Sequence, residues 1–204
     1  MEIGADHWLR PARHCPSPNC NPRPENTAVS LVVIHGISLP PGEFGGPWID
    51  ALFTNTLPTG HHPYFAEIAG LTVSAHLCIR RDGEIVQYVP FDLRAWHAGK
   101  SQYQGRDNCN DFSIGIELEG TDEIPYTPAQ YEQLARIIPL LNARYPQSFG
   151  HLRGHSDIAP GRKTDPGPSF SWERLQALLG HTEAPAANGQ DEDQDKDQDK
   201  GESR

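Results

Sequence analysis

Residues 71–89, LTVSAHLCIRRDGEIVQYV, decide the fold class. Val73, Ala75, Leu77 and Ile79 alternate with Thr72, Ser74, His76 and Cys78, the period of a strand. Asp82-Gly83 supplies a turn, and Ile85 to Val89 returns, so the segment predicts an antiparallel hairpin. Two other runs read as strands. Ala28 to Ile34 is a short, β-branched run that reads as a buried strand. Phe112 to Leu118 puts Ile114, Ile116 and Leu118 on one face and Ser113, Gly115 and Glu117 on the other. Helices alternate with these runs. A short one is expected over Trp48–Phe53, after the turn-rich LPPGEFGGP. Thr127-Pro128-Ala129-Gln130 combines an N-cap, a first-turn proline and a capping-box glutamine. Tyr131, Leu134, Ala135, Ile138 and Leu141 then mark one apolar face. A last helix spans Ser171 to Leu179, with Gly180 placed to end it. Strands interspersed with helices, plus one antiparallel hairpin, imply a single α/β domain with a mixed β-sheet flanked by helices.

The chain has 204 residues and a formal charge of −10. Residues 181–204 carry eight acids against three bases, net −5, and almost nothing apolar. Such a segment cannot fold by burial, so residues 1–180 are expected to form the domain and 181–204 an acidic, disordered tail. Residues 1–28 are polar and proline-rich and read as an extended lead-in. No basic face is available for phosphate neutralisation, which excludes a nucleic-acid partner. The first fourteen residues lack a continuous apolar stretch, and no run approaches a bilayer's thickness, so neither a secretory signal nor a membrane partner is expected. Four cysteines, including Cys15 and Cys20 of CPSPNC, read as free thiols in the cytoplasm.

Ten histidines and one loop carry the chemistry. His35 closes the first strand, where a side chain emerges at the sheet's edge. His155 and Asp165 bracket GHSDIAPGRKTDPGP. Two histidines and a carboxylate satisfy the ligand count of a catalytic zinc site. Taken singly, each also reads as an ordinary structural or solvated residue. Lys163 falls on the side of Asp165 in an extended segment, and suits a developing oxyanion. Glu117 and Glu119 share one face of their strand, so periodicity cannot choose a general base between them. Trp96-His97-Ala98-Gly99-Lys100-Ser101 fails the phosphate-loop template, because Arg94 stands where a glycine is required. Trp96 reads either as a sugar-stacking platform or as half-buried core.

Four segments together, VIHGISLPPGEFGGPWIDALF, TVSAHLCIRRDGEIVQYVPFDLRAWHAGKS, CNDFSIGIELEGTD and GHSDIAPGRKTDPGP, resemble the zinc-dependent N-acetylmuramoyl-L-alanine amidases. The resemblance runs from about residue 8 to residue 179 and is strongest to the cytoplasmic members that act on 1,6-anhydro-N-acetylmuramyl peptides. It implies a Zn2+ cofactor on His35, His155 and Asp165, with Glu117 rather than Glu119 as general base and Lys163 as oxyanion partner. It sets Trp96, His97 and Asn108 on the substrate side. Gly36, Asn108 and Ser156 depart from the family's usual Asn, Arg and Cys. The implied reaction is hydrolysis of the lactyl–L-alanine amide of a small muropeptide by a monomer, during cell-wall recycling linked to control of β-lactamase induction. The alternatives are an amidase of polymeric peptidoglycan and a non-catalytic peptidoglycan-binding module; an intact ligand set argues against the second.

Overall fold

The computed structural model describes residues 1–180. The expected tail at 181–204 lies outside the described residues. Six strands form the central sheet: β1 (Arg13–His14), β2 (Leu31–Ile37), β3 (Leu77–Ile79), β4 (Ile85–Gln87), β5 (Ser113–Glu119) and β6 (Leu152–Gly154). Their spatial order is β6-β2-β5-β3-β4-β1. β6, β2, β5 and β3 run parallel, β4 returns antiparallel to β3, and β1 lies parallel to β4 at the edge. The sheet is mixed and flanked by helices, as the pattern implies. No helix among the described residues is long and apolar enough to cross a membrane.

Parity along the two longest strands divides the molecule. Val32, Ile34, Ile114, Ile116 and Leu118 face the helices α3 (Pro128–Arg144) and α5 (Trp172–Gly180) in the main core. α3 starts as its sequence predicts: the Thr127 side chain accepts from Gln130 N, and Gln130 Oε1 accepts from Thr127 N, so two otherwise orphaned donors are satisfied. The helix continues through Pro139. The opposite face carries Leu31, Val33 and His35 beside Ser113, Gly115 and Glu117. It is covered by loops and by a second core around α1 (Trp48–Phe53) and α2 (Pro63–Glu67).

Several expectations need correction. β2 does not stop at Ile34: pairing with β5 continues to Ile37↔Glu119, so His35 sits inside a strand and opposite Glu117. Ladder hydrogen bonds to a long neighbour hold those last residues extended whatever their own hydropathy. The hairpin is shorter than its alternation, with regular strand only over Leu77–Ile79 and Ile85–Gln87. Ala75 packs beside Cys78 and not with Leu77 and Ile79, so the alternation slips before β3. The lead-in is structured: it supplies β1, and Cys20–Pro22 pairs antiparallel with Leu93–Ala95. Arg23 is a buried tie within it, donating to the carbonyl oxygens of Phe91 (3.1 Å), Asn110 (3.1 Å), Asp111 (3.0 Å) and Ser113 (2.9 Å). Burial pushes its guanidinium down to about 10.

Candidate metal centre and cleft

His35 and His155 reach one point from adjacent elements. His35 projects from the middle of β2, and His155 opens α4 (His155–Ile158), the single helical turn that follows β6. Asp165 joins them from the loop beyond, whose carbonyl accepts from Ser156 N at 3.0 Å. The facing atoms form a nearly equilateral triangle. His35 Nδ1 and His155 Nδ1 are 3.0 Å apart, and Asp165 Oδ2 lies 3.2 Å from the first and 3.1 Å from the second.

The donor set fits a metal. The other ring nitrogen of His155, Nε2, meets the Ala98 carbonyl oxygen at 3.2 Å. A carbonyl only accepts, so Nε2 carries the proton and Nδ1 turns a bare lone pair to the centre. Two imidazole nitrogens and one carboxylate are the ligands of a catalytic zinc site with one position left open. Ligands about 2.0–2.1 Å from a tetrahedral ion lie roughly 3.3 Å apart, close to the observed spacing. Burial pushes His35 down to about 4, against the pull of Asp165, which keeps it a neutral ligand.

The triangle opens on a cleft of about 470 Å³, whose lining includes the apolar Tyr64, Val73 and Trp96 and the charged Asp122, Arg162 and Lys163. Glu117 lines it beside His35. Its Oε2 is buried without a hydrogen-bond partner, an expensive condition for a carboxylate unless something in the cleft completes it. Burial, and then Asp165, push Glu117 well above the ordinary carboxylate range, with Lys163 opposing. Glu119, two residues on, is spent on structure. It pairs with Arg80 at 3.1 Å and accepts from Gly45 N at 2.7 Å and Arg81 N at 3.3 Å. It faces a separate depression of about 520 Å³ in which Arg13 and Arg80 hold Asp50, and no cluster of metal-ligating groups lies there among the described residues.

The remaining expected residues divide. Trp96 lines the cleft half-buried, with Nε1 donating to Asn21 Oδ1 at 2.7 Å, so it has both a fixed orientation and an open face. His97 lines the cleft but is mostly buried, packed against His35: its Nδ1 lies 2.9 Å from His35 Nε2 and its Nε2 3.1 Å from Ser113 Oγ. Asn108 is not among the residues lining the cleft. It is exposed at φ 58°, at the start of a short 3-10 turn, where a left-handed backbone suits asparagine. Gly36 does line the cleft, and the space a side chain would need is filled by the Tyr126 hydroxyl, which donates to Pro166 O at 3.0 Å. Sequence reasoning missed Asn110, whose Oδ1 accepts from His97 N at 3.0 Å and Ala98 N at 2.7 Å; nothing local marks it.

A metal triangle at the mouth of a mixed sheet, with a buried carboxylate beside it, defines a class of hydrolase, and the family is shown directly. Residues 25–168 match the family described as N-acetylmuramoyl-L-alanine amidase, and the chain belongs to it. It is 66% identical over 172 residues to the 1,6-anhydro-N-acetylmuramyl-L-alanine amidase AmpD of Citrobacter freundii, covering 84% of this chain and 92% of that one. A crystal structure of an AmpD derivative superposes with a TM-score of 0.86 at 64% identity, over 88% of this chain and 99% of the other. The amidase AmiD of Escherichia coli, solved with anhydro-N-acetylmuramic acid-L-Ala-D-gamma-Glu-L-Lys, superposes at 0.54 and 28% identity, over 76% and 60%.

Proposed function

We propose that this N-acetylmuramoyl-L-alanine amidase is a zinc enzyme of cell-wall recycling. It hydrolyses the amide between the lactyl group of a 1,6-anhydro-N-acetylmuramyl peptide and its L-alanine. The observation that carries the reading is the convergence of His35, His155 and Asp165 beside a buried, unpartnered Glu117 oxygen in an open cleft. The substrate class is supported by the similarity to the C. freundii enzyme. The compartment in this reading is the cytoplasm, as the sequence resemblance implies, and residues 1–180 carry the whole activity as a monomer.

His35, His155 and Asp165 would hold the ion. Bound there, zinc lowers the pKa of a water to about 7 and polarises a carbonyl. Glu117, whose proton affinity is raised by burial, is placed to take a proton and later deliver it to the leaving amine. Lys163, which also lines the cleft, brings positive charge to the oxygen that becomes anionic when the amide carbon turns tetrahedral. Trp96, half-buried in the cleft lining, offers a face to a sugar ring.

The test combines metal analysis with kinetics. One zinc per chain, activity lost on chelation and restored by zinc, and a kcat/KM on an anhydro-muramyl tripeptide far above the rate of stem-peptide release from purified sacculi are expected. Active protein without stoichiometric metal overturns the zinc assignment. Equal rates on both substrates move the reading to a general wall amidase.

A further inference from the structure

Ser113 Oγ lies 2.6 Å from the Cys109 carbonyl oxygen. A carbonyl only accepts, so the single hydroxyl proton of Ser113 points there. The other contact of that oxygen, with His97 Nε2 at 3.1 Å, must then be His97 donating to serine. A neutral imidazole that carries its proton on Nε2 has a bare Nδ1. His97 Nδ1 therefore accepts from His35 Nε2 at 2.9 Å, and His35 Nδ1 is left bare at the metal triangle. One backbone carbonyl, through three fixed hydrogen bonds, sets which nitrogen of a metal ligand is available.

The surroundings hold His97 for this. Gly115 faces its ring from β5, and a Cβ there would overlap the ring atoms, so the strand is bare where the imidazole lies. Asn110 Oδ1 accepts from both the His97 and Ala98 amides, and the Ala98 carbonyl is what orients His155. Two consecutive residues thus back both histidines of the triangle.

We propose that His97 is a positioning residue, which through Ser113 fixes the tautomer and ring angle of His35 so that its Nδ1 is presented to zinc. The inference rests on the zinc reading above. It assigns His97 to metal affinity and not to substrate contact.

Zinc affinity of the full chain, measured by competition with a chromophoric chelator, tests it, beside the imidazole 15N spectrum of the zinc-free wild type. His97→Leu keeps bulk without an acceptor and should weaken zinc about 10- to 100-fold, as loss of an outer hydrogen-bond partner does. His97→Gln can still accept from His35 and donate to Ser113, and should bind zinc more tightly than His97→Leu. Ser113→Ala, a smaller change to the fold, should weaken zinc in the same direction, and His35 and His97 should both carry their protons on Nε2 in the spectrum. Wild-type affinity in both His97→Leu and Ser113→Ala, or a proton on Nδ1 of His97, overturns the proposal. So does a variant with unchanged affinity and a raised KM, the signature of a substrate contact. Failure of the wild type itself to bind zinc would sink the metal reading, and is distinguishable because it needs no variant.

Discussion

Replacing Glu117 and Glu119 separately by glutamine should split activity from stability. The two residues share one strand face, yet their environments are opposite. Glu119 neutralises the buried Arg80 and ties down two backbone amides, with side-chain exposures of 3% and 9% for the pair. Removing one partner of a buried ion pair costs about 3–5 kcal/mol. Arg80 keeps Asp50 at 3.2 Å, so the lower end, about 3 kcal/mol, applies. At roughly 2–4 °C per kcal/mol for a domain this size, Glu119→Gln should lower Tm by roughly 6–12 °C. Its kcat should be retained where it is folded. Glu117 has the reverse profile. Its carboxylate is buried with one oxygen unpartnered and its pKa raised, so above that pKa each unit of elevation costs the fold about 1.4 kcal/mol. Glu117→Gln should leave Tm of the zinc-free protein equal or higher, and lower kcat by about 10²- to 10⁴-fold, the usual worth of a general base. Calorimetric melts and steady-state kinetics on the anhydro-muramyl tripeptide, with metal content measured on each sample, decide it. Wild-type kcat in Glu117→Gln, or a folded but inactive Glu119→Gln, refutes the assignment.

Lys163→Ala should keep its zinc and lose about 100-fold or more in kcat, as for an oxyanion partner; unchanged kcat would refute that role, and activity lost together with zinc would make Lys163 a structural support of the metal loop. His35, His76 and His97 are buried and held below the unfolded value, His35 at about 4 and His76 at about 3, so each is neutral in the fold where the unfolded chain is protonated. Stability of the zinc-free protein is therefore full above about pH 6.5 and should fall as pH drops toward 4, by roughly 3–4 kcal/mol per pH unit near pH 5, with raised Glu117 offsetting part; denaturation free energies that stay flat from pH 7 to 5 would contradict this. Truncation after Gly180 should leave Tm and kcat/KM unchanged, and loss of either would show that residues 181–204 contribute to the domain.

The elements that were legible are those whose signal is local. The capping box at Thr127 and the 3.6-residue stripe from Tyr131 to Leu141 need only their own neighbours, and α3 forms as they dictate. α2 was not legible: its first turn rests on Pro63 and on His62 Nδ1 accepting from Tyr64 N, a cap that hydropathy does not reveal. The functional set had no local signal at all. His35 and His155 are 120 residues apart in sequence, and Glu117 differs from Glu119 because Arg80, far off in sequence, has taken the second. Resemblance across four ordered segments supplied what spacing could not. Of the positions it set on the substrate side, Trp96 and His97 line the cleft and Asn108 is exposed outside its lining.

One sheet parity accounts for the whole arrangement. With Val32, Ile34, Ile114 and Ile116 committed to the face under α3, their neighbours Val33, His35, Ser113, Gly115 and Glu117 have only the other face to occupy. The parallel register sets Glu117 opposite His35, so the proposed proton acceptor and the candidate metal ligand become neighbours through backbone pairing. Gly115 lies two residues before Glu117, where the absent Cβ admits the His97 ring, and Ser113 lies two before that, where its hydroxyl meets the same ring. A one-residue slip of β5 against β2 would send Ser113, Gly115 and Glu117 under the helices and bring isoleucines to the cleft. The large apolar core beneath the sheet therefore does more than stabilise the domain: by making that slip prohibitive, it keeps Glu117 beside His35 and Ser113 against the His97 ring on one face of the sheet.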